Sequence, residues 1–258
     1  MTKQVSSPDR DGGALTRLFD AWVGADAAWF VVPLAGCAWM AMGWDASGLA
    51  SALGSAREGA WPLCLAAGTD APKGIVPWTV LVPWVLMVTA MVPPMSAGLL
   101  RYVALRSLRA RRYRAMTLSL GGVLGVWLAG GMAAAPVIAA LLAAWPIQAL
   151  CVAAYFLAAA WQFAPLRRRA VRRCHRVRPL AGDGWAADRD CFVLGVARGG
   201  DCLLACGPMM LAGVLSGHAL LGMAVMAVIA QAERWARDPA PGPAAVILAC
   251  LAVVYLPV

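Results

Sequence analysis

The sequence predicts an all-α fold: a polytopic transmembrane bundle of six to seven helices with a cytoplasmic N-terminus. Three observations carry this. Of 258 residues, 62% are hydrophobic and only 14% are charged, and the mean hydropathy is +0.71. A soluble chain runs at roughly 45–50% apolar and about 25% charged. The net charge of +9 is concentrated in two short segments. Apolar runs of bilayer length recur between the polar segments.

The elements follow in order. Residues 1–24 are polar, with Lys3, Asp9, Arg10 and Asp11 and no apolar leader, so a cleavable signal peptide is not expected. Residues 25–258 read as one transmembrane domain. A crossing helix needs roughly 20 apolar residues. The candidates are Ala25–Gly43, Val76–Leu100, Met116–Ala140, Ile147–Ala164, Cys191–Leu215, Gly217–Trp235 and Pro243–Val258. The first carries Asp26, and the last is short. Trp22, Trp44, Trp78, Trp145, Trp161 and Trp235 fall near the expected interfaces, as an aromatic belt would.

Charge sets the orientation. Arg101, Arg106, Arg109, Arg111, Arg112 and Arg114 lie in segment 101–115. Arg167, Arg168, Arg169, Arg172, Arg173, Arg176 and Arg178 lie in segment 165–190. Both segments are expected to be cytoplasmic loops by the positive-inside bias, with 44–75 as an outer loop. Outside the two Arg clusters the chain is net acidic. Aromatic residues are scarce there, with only Tyr102 and Tyr113 in the first cluster, so the partner expected is the lipid bilayer and not nucleic acid. The location implied is a bacterial inner membrane, crossed many times.

Sulfur carries the candidate chemistry. Cys202, Cys206, Met209 and Met210 fall along one helical stripe. Met87, Met91 and Met95 repeat every four residues and form a second. His218, Met223 and Met226 lie on the next span. Thiolates and thioethers are soft ligands that select Cu(I) over hard cations. The expected metal set is Cys202, Cys206, Met209, Met210, Met87 and Met91, with His218 at the outer mouth and copper as the ion. The competing reading is that Met fills core gaps and free Cys packs as a small hydrophobe. Arg198 and Asp201, three residues apart, are expected to form an intramembrane ion pair, with Arg198 favouring a Cys202 thiolate. Cys174 and His175 offer two ligands for a cytoplasmic metal site, too few to close one. Glu233 and Arg234 read as interfacial charges at a helix end. No Ser-His-Asp set, phosphate loop or paired carboxylates stand out, which points away from an enzyme.

Several motifs occur in a recognisable order: Trp84-x-x-Met87-x-x-Ala90-Met91-Val92-Pro93, the Arg-rich segment with Cys174, Gly195-x-x-x-Gly199-Gly200-x-Cys202-x-x-x-Cys206-x-x-x-Met210, Gly217-x(5)-Met223, and Glu233-Arg234. Over roughly residues 80–235 the chain resembles a bacterial family of predicted metal-binding integral membrane proteins, domain of unknown function 2182. The resemblance implies a multi-helix membrane protein with a cysteine-based metal site, and no particular reaction. Relative to the family pattern, Ala170 and Ala205 stand where cysteines are usual and Gly207 where Trp is usual. The chain therefore reads as a diverged member that keeps the Cys202/Cys206 pair.

Two functions follow as expectations. One is Cu(I) handling through the Cys/Met stripe, with a metallochaperone as partner. The other is a non-catalytic accessory or assembly subunit of a membrane oxidoreductase complex. A transporter is disfavoured by the missing internal repeat and the few intramembrane charges.

Overall fold

The computed structural model describes residues 31–41, 78–174, 178–216, 220–235 and 240–254. Within them every regular element is helical. α1 is Val31–Ala41, α2 Trp78–Met95, α3 Ala97–Arg106 and α4 Arg112–Ala144. α5 is Ile147–Trp161, α6 Pro165–Cys174, α7 Gly184–Leu215, α8 Leu220–Trp235 and α9 Pro241–Val254. His175 and His218, the N-terminal segment 1–24 and the outer loop 44–75 lie outside the described residues.

α4 and α7, of 33 and 32 residues, form the spine. Their contact is made by glycine. A Cβ on Gly195 would sit 2.1 Å from the Ser119 carbonyl oxygen, and one on Gly122 would sit 2.6 Å from that of Phe192. Only hydrogen at these positions lets the two backbones touch, which is how small residues join helices when apolar burial gives little drive. Ser119 Oγ donates across the seam to the Cys191 carbonyl at 2.9 Å. At the Arg-rich end, Asp188 accepts from Arg111 at 2.5 Å and from Arg114 at 2.6 Å, which fixes the register of α4 against α7.

Prolines place the breaks. Proline lacks an N–H and crowds the carbonyl four residues back. α2 carries Pro93 and Pro94 in its last turn, and α3 leaves it at 55°. Ser96 covers the break: its N–H and its hydroxyl both reach the Val92 carbonyl at 2.9 Å. Pro165 opens α6, which leaves α5 at 69° and folds back against α7. Pro208 lies inside α7 and leaves the Leu204 carbonyl without its helical donor. The Trp161 indole N–H fills that place at 3.0 Å, tying α5 to α7.

Each of the seven segments expected to span overlaps a helix. Among the described residues, two helices are long and apolar enough to cross a membrane, Arg109–Ala144 and Gly184–Leu215, and counting each bent pair as one span raises this to four. α8 and α9 have 16 and 14 residues, short of the roughly 20 a crossing needs. The Arg-rich segments are not irregular loops. α3 runs to Arg106, a 3₁₀ turn covers Arg109–Arg111, α4 starts at Arg112, and α6 occupies Pro165–Cys174. Arginine is a good helix former, and Asp188 holds two of these side chains in place.

Candidate metal site

The site lies where α2, α7 and α8 meet, with α4 and α6 beside it. Cys202 and Cys206 are one turn apart on α7 and both are buried. Their thiols share a hydrogen bond. Arg234, near the end of α8, reaches in with both guanidinium nitrogens. Nη2 donates to Cys202 Sγ at 2.8 Å, and Nη1 donates to the Met95 carbonyl at 2.7 Å. That carbonyl is within reach because α2 ends there, at the Pro93-Pro94 break.

Trp127 of α4 approaches the same sulfur. Its backbone carbonyl accepts from Trp84 Nε1 at 2.9 Å, and the two rings lie 6.1 Å apart. Gly131 leaves room for the Trp84 ring, since a Cβ there would fall 2.2 Å from the indole nitrogen. Trp127 Nε1 is buried without an acceptor in good hydrogen-bond geometry, and Cys202 is the polar group beside it. Cys202 Sγ is therefore faced by a guanidinium, a thiol and an indole N–H. All three are donors, so the sulfur is arranged as an acceptor.

The structure brings the expected soft ligands into one core. Met87, Met91, Met209 and Met210 are buried in the same cluster as Cys202 and Cys206, together with Met95, Met223 and Met226. Two thioethers converge where α7 lacks a side chain. Met226 Sδ and Met87 Sδ come within 3.5 and 4.0 Å of the position a Cβ on Gly213 would take. Gly213 lies seven residues beyond Cys206, so the sulfur line continues along α7 for about 10 Å at 1.5 Å per residue. Among the described residues, no three His, Cys, Asp or Glu side chains form a metal-binding group. The donors on offer are the thiol pair and thioethers.

Arg198 and Asp201, expected to pair, both have further partners. Asp201 forms an ion pair with Arg173 Nε at 3.7 Å, and its charge also reaches Arg198. Arg198 Nη1 donates to the Arg173 carbonyl at 3.3 Å, and its guanidinium meets the Cys174 thiol. The cation bonded to Cys202 is Arg234. Glu233 is buried and paired with the buried Arg167 of α6.

Cys174 ends α6, a helix with five arginines in ten residues that lies outside the apolar stretches. It comes within electrostatic range of Cys202, so the two cysteine positions read separately in the sequence belong to one neighbourhood. Burial pushes the Cys174 thiol up from its ordinary value, with Arg234 and Arg198 pulling the other way. Arg234, Trp127 and the Arg167–Glu233 pair are the site features that sequence reasoning missed. The available signal was Glu-Arg at the end of an apolar helix, a costly place for buried charge.

The fold and site define an all-helical chain with bilayer-length helices and a buried pair of thiols backed by thioethers. The family model described as PpoB2, copper chaperone, matches residues 81–256, and the chain belongs to that family. No curated protein and no solved structure matches the chain. Membership indicates a copper-handling role.

Proposed function

We propose that this protein is an integral membrane copper chaperone that carries Cu(I) as cargo on the Cys202/Cys206 pair. The observation that carries the reading is the buried, hydrogen-bonded thiol pair on α7, inside the family-matched region. Thiolates and thioethers are the ligands that favour Cu(I). A monovalent ion of this kind accepts low coordination numbers, so two sulfurs suffice to hold it. Both must be deprotonated in the loaded state. The thioethers of Met209, Met210, Met87 and Met91, with Met226, supply weaker neutral ligands for transfer along α7.

The same reading sets the chain in the inner membrane with six to seven crossings and a cytoplasmic N-terminus. It is supported by the apolar α4 and α7 and by the Arg clusters at one end. It makes the chain a diverged relative of the predicted metal-binding family that its motifs resemble. Cys174 lies on the Arg-rich side, so ion delivered by a cytoplasmic metallochaperone would meet it before the buried pair.

The test is Cu(I) loading of purified wild type and Cys202→Ser/Cys206→Ser under anaerobic conditions. About one tightly held Cu(I) per chain, lost in the double variant, is expected. Equal loading of both proteins would refute the site. Copper-free wild type that co-purifies with a stoichiometric membrane partner would favour the accessory-subunit reading.

A further inference from the structure

The charge around the thiol pair has a specific balance. Arg234 is the cation hydrogen-bonded to Cys202, and among the described residues it meets no carboxylate. The neighbouring charges are balanced without it: Glu233 by Arg167, and Asp201 by Arg198, which its charge reaches, and by the half-exposed Arg173. Cys202 and Cys206 are 2% and 4% exposed, so a net charge left at the pair would be poorly solvated.

From this we infer that Arg234 is a specificity-determining residue that sets the site for a monovalent ion. The inference rests on the proposed copper-binding role of the pair. Two thiolates carry −2 and the guanidinium carries +1, and arginine does not lose its proton in proteins. A monovalent ion brings the assembly to zero. A divalent ion leaves it at +1 in apolar surroundings, where an uncompensated charge is strongly disfavoured. Without the guanidinium the preference inverts: a divalent ion gives zero and Cu(I) gives −1. The guanidinium can stay in place when the ion arrives, because a metal-bound thiolate still accepts an N–H. Its second bond, to the Met95 carbonyl, holds it there.

Coordination number also disfavours Zn(II), which takes four ligands in structural sites. That contribution comes from the sulfur set and is the same in every Arg234 variant. A variant series therefore isolates the charge.

The experiment uses the full chain in detergent micelles, with Ag(I) as a redox-inert monovalent probe and Zn(II) as the divalent one. Affinities are measured for wild type, R234Q, R234M and R234K. R234M guards against misfolding of the polar variant, and R234K keeps the charge. The expected result is a wild-type preference for Ag(I) that shrinks at least about tenfold in R234Q and R234M, with weaker Ag(I) and stronger Zn(II) binding, and that R234K restores. Parallel weakening of both ions, or R234K behaving as R234Q does, would overturn the inference while leaving the copper-binding role intact. Absence of Ag(I) and Cu(I) binding to the wild-type thiols would overturn both.

Discussion

Arg234 and Cys202 lie 32 residues apart in the chain and 2.8 Å apart in space, joined by an N–H to sulfur hydrogen bond. The bond depends on two other features. Gly195 and Gly122 let α4 and α7 close together, which brings Trp127 up to the same sulfur. The Pro93-Pro94 break leaves the Met95 carbonyl free to hold the second arm of the guanidinium. The site is thus assembled from backbone interruptions as much as from ligands.

The Arg167–Glu233 pair fastens α6 to α8 beside the site, with both side chains buried. Removing one partner strands the other charge, which costs about 3–5 kcal/mol. Glu233→Ala and Arg167→Ala are each expected to lower thermal stability in detergent by that order. A double Arg167→Met/Glu233→Leu variant is expected to recover most of the loss, because no uncompensated charge remains. Thermal unfolding of the four proteins checks this, and a double variant no better than the singles would contradict it.

Trp161 and Pro208 are coupled through one carbonyl. Trp161→Phe leaves the Leu204 oxygen unsatisfied, at a cost of about 1–3 kcal/mol. Replacing Pro208 by Ala supplies a helical N–H to that oxygen. In Pro208→Ala, the further change Trp161→Phe is therefore expected to cost about 1 kcal/mol less than in the wild type. A double-mutant cycle on unfolding midpoints measures the difference.

Cys174 has its pKa raised by burial. Its thiolate fraction at neutral pH is therefore below that of a free thiol, and alkylation, which needs the thiolate, is slow. The rate is expected to keep climbing with pH after a free cysteine has levelled off. Mass-spectrometric labelling of Cys174 across pH 7–10.5 tests the sign (the range spans the ordinary thiol pKa of about 8.5). A profile at or below that of free cysteine would contradict the burial account. Asp201→Asn is expected to shift the profile downward, because the carboxylate adds to the rise.

Much of the fold was legible because helix formation in apolar chains is local. The runs of Ala, Leu, Val and Met marked the apolar helices. The Arg clusters misled on secondary structure. Charge identified them as polar segments, but helix propensity and pairing to Asp188 made most of each segment helical. Trp161 read as an interfacial aromatic, and spacing gave no sign that its indole satisfies a carbonyl that Pro208 orphans.

The sequence by itself determined the helical class, the sulfur stripe on α7 and the basic segments, because each depends on residues near one another in the chain. Only the tertiary structure decided which cation meets Cys202, that Asp201 pairs with Arg173, and that Cys174 joins the neighbourhood of the buried pair. Those outcomes turn on where α2 and α5 break and how closely α4 approaches α7. Electrostatic partners are chosen by distance in space, and spacing along one helix leaves that distance undetermined.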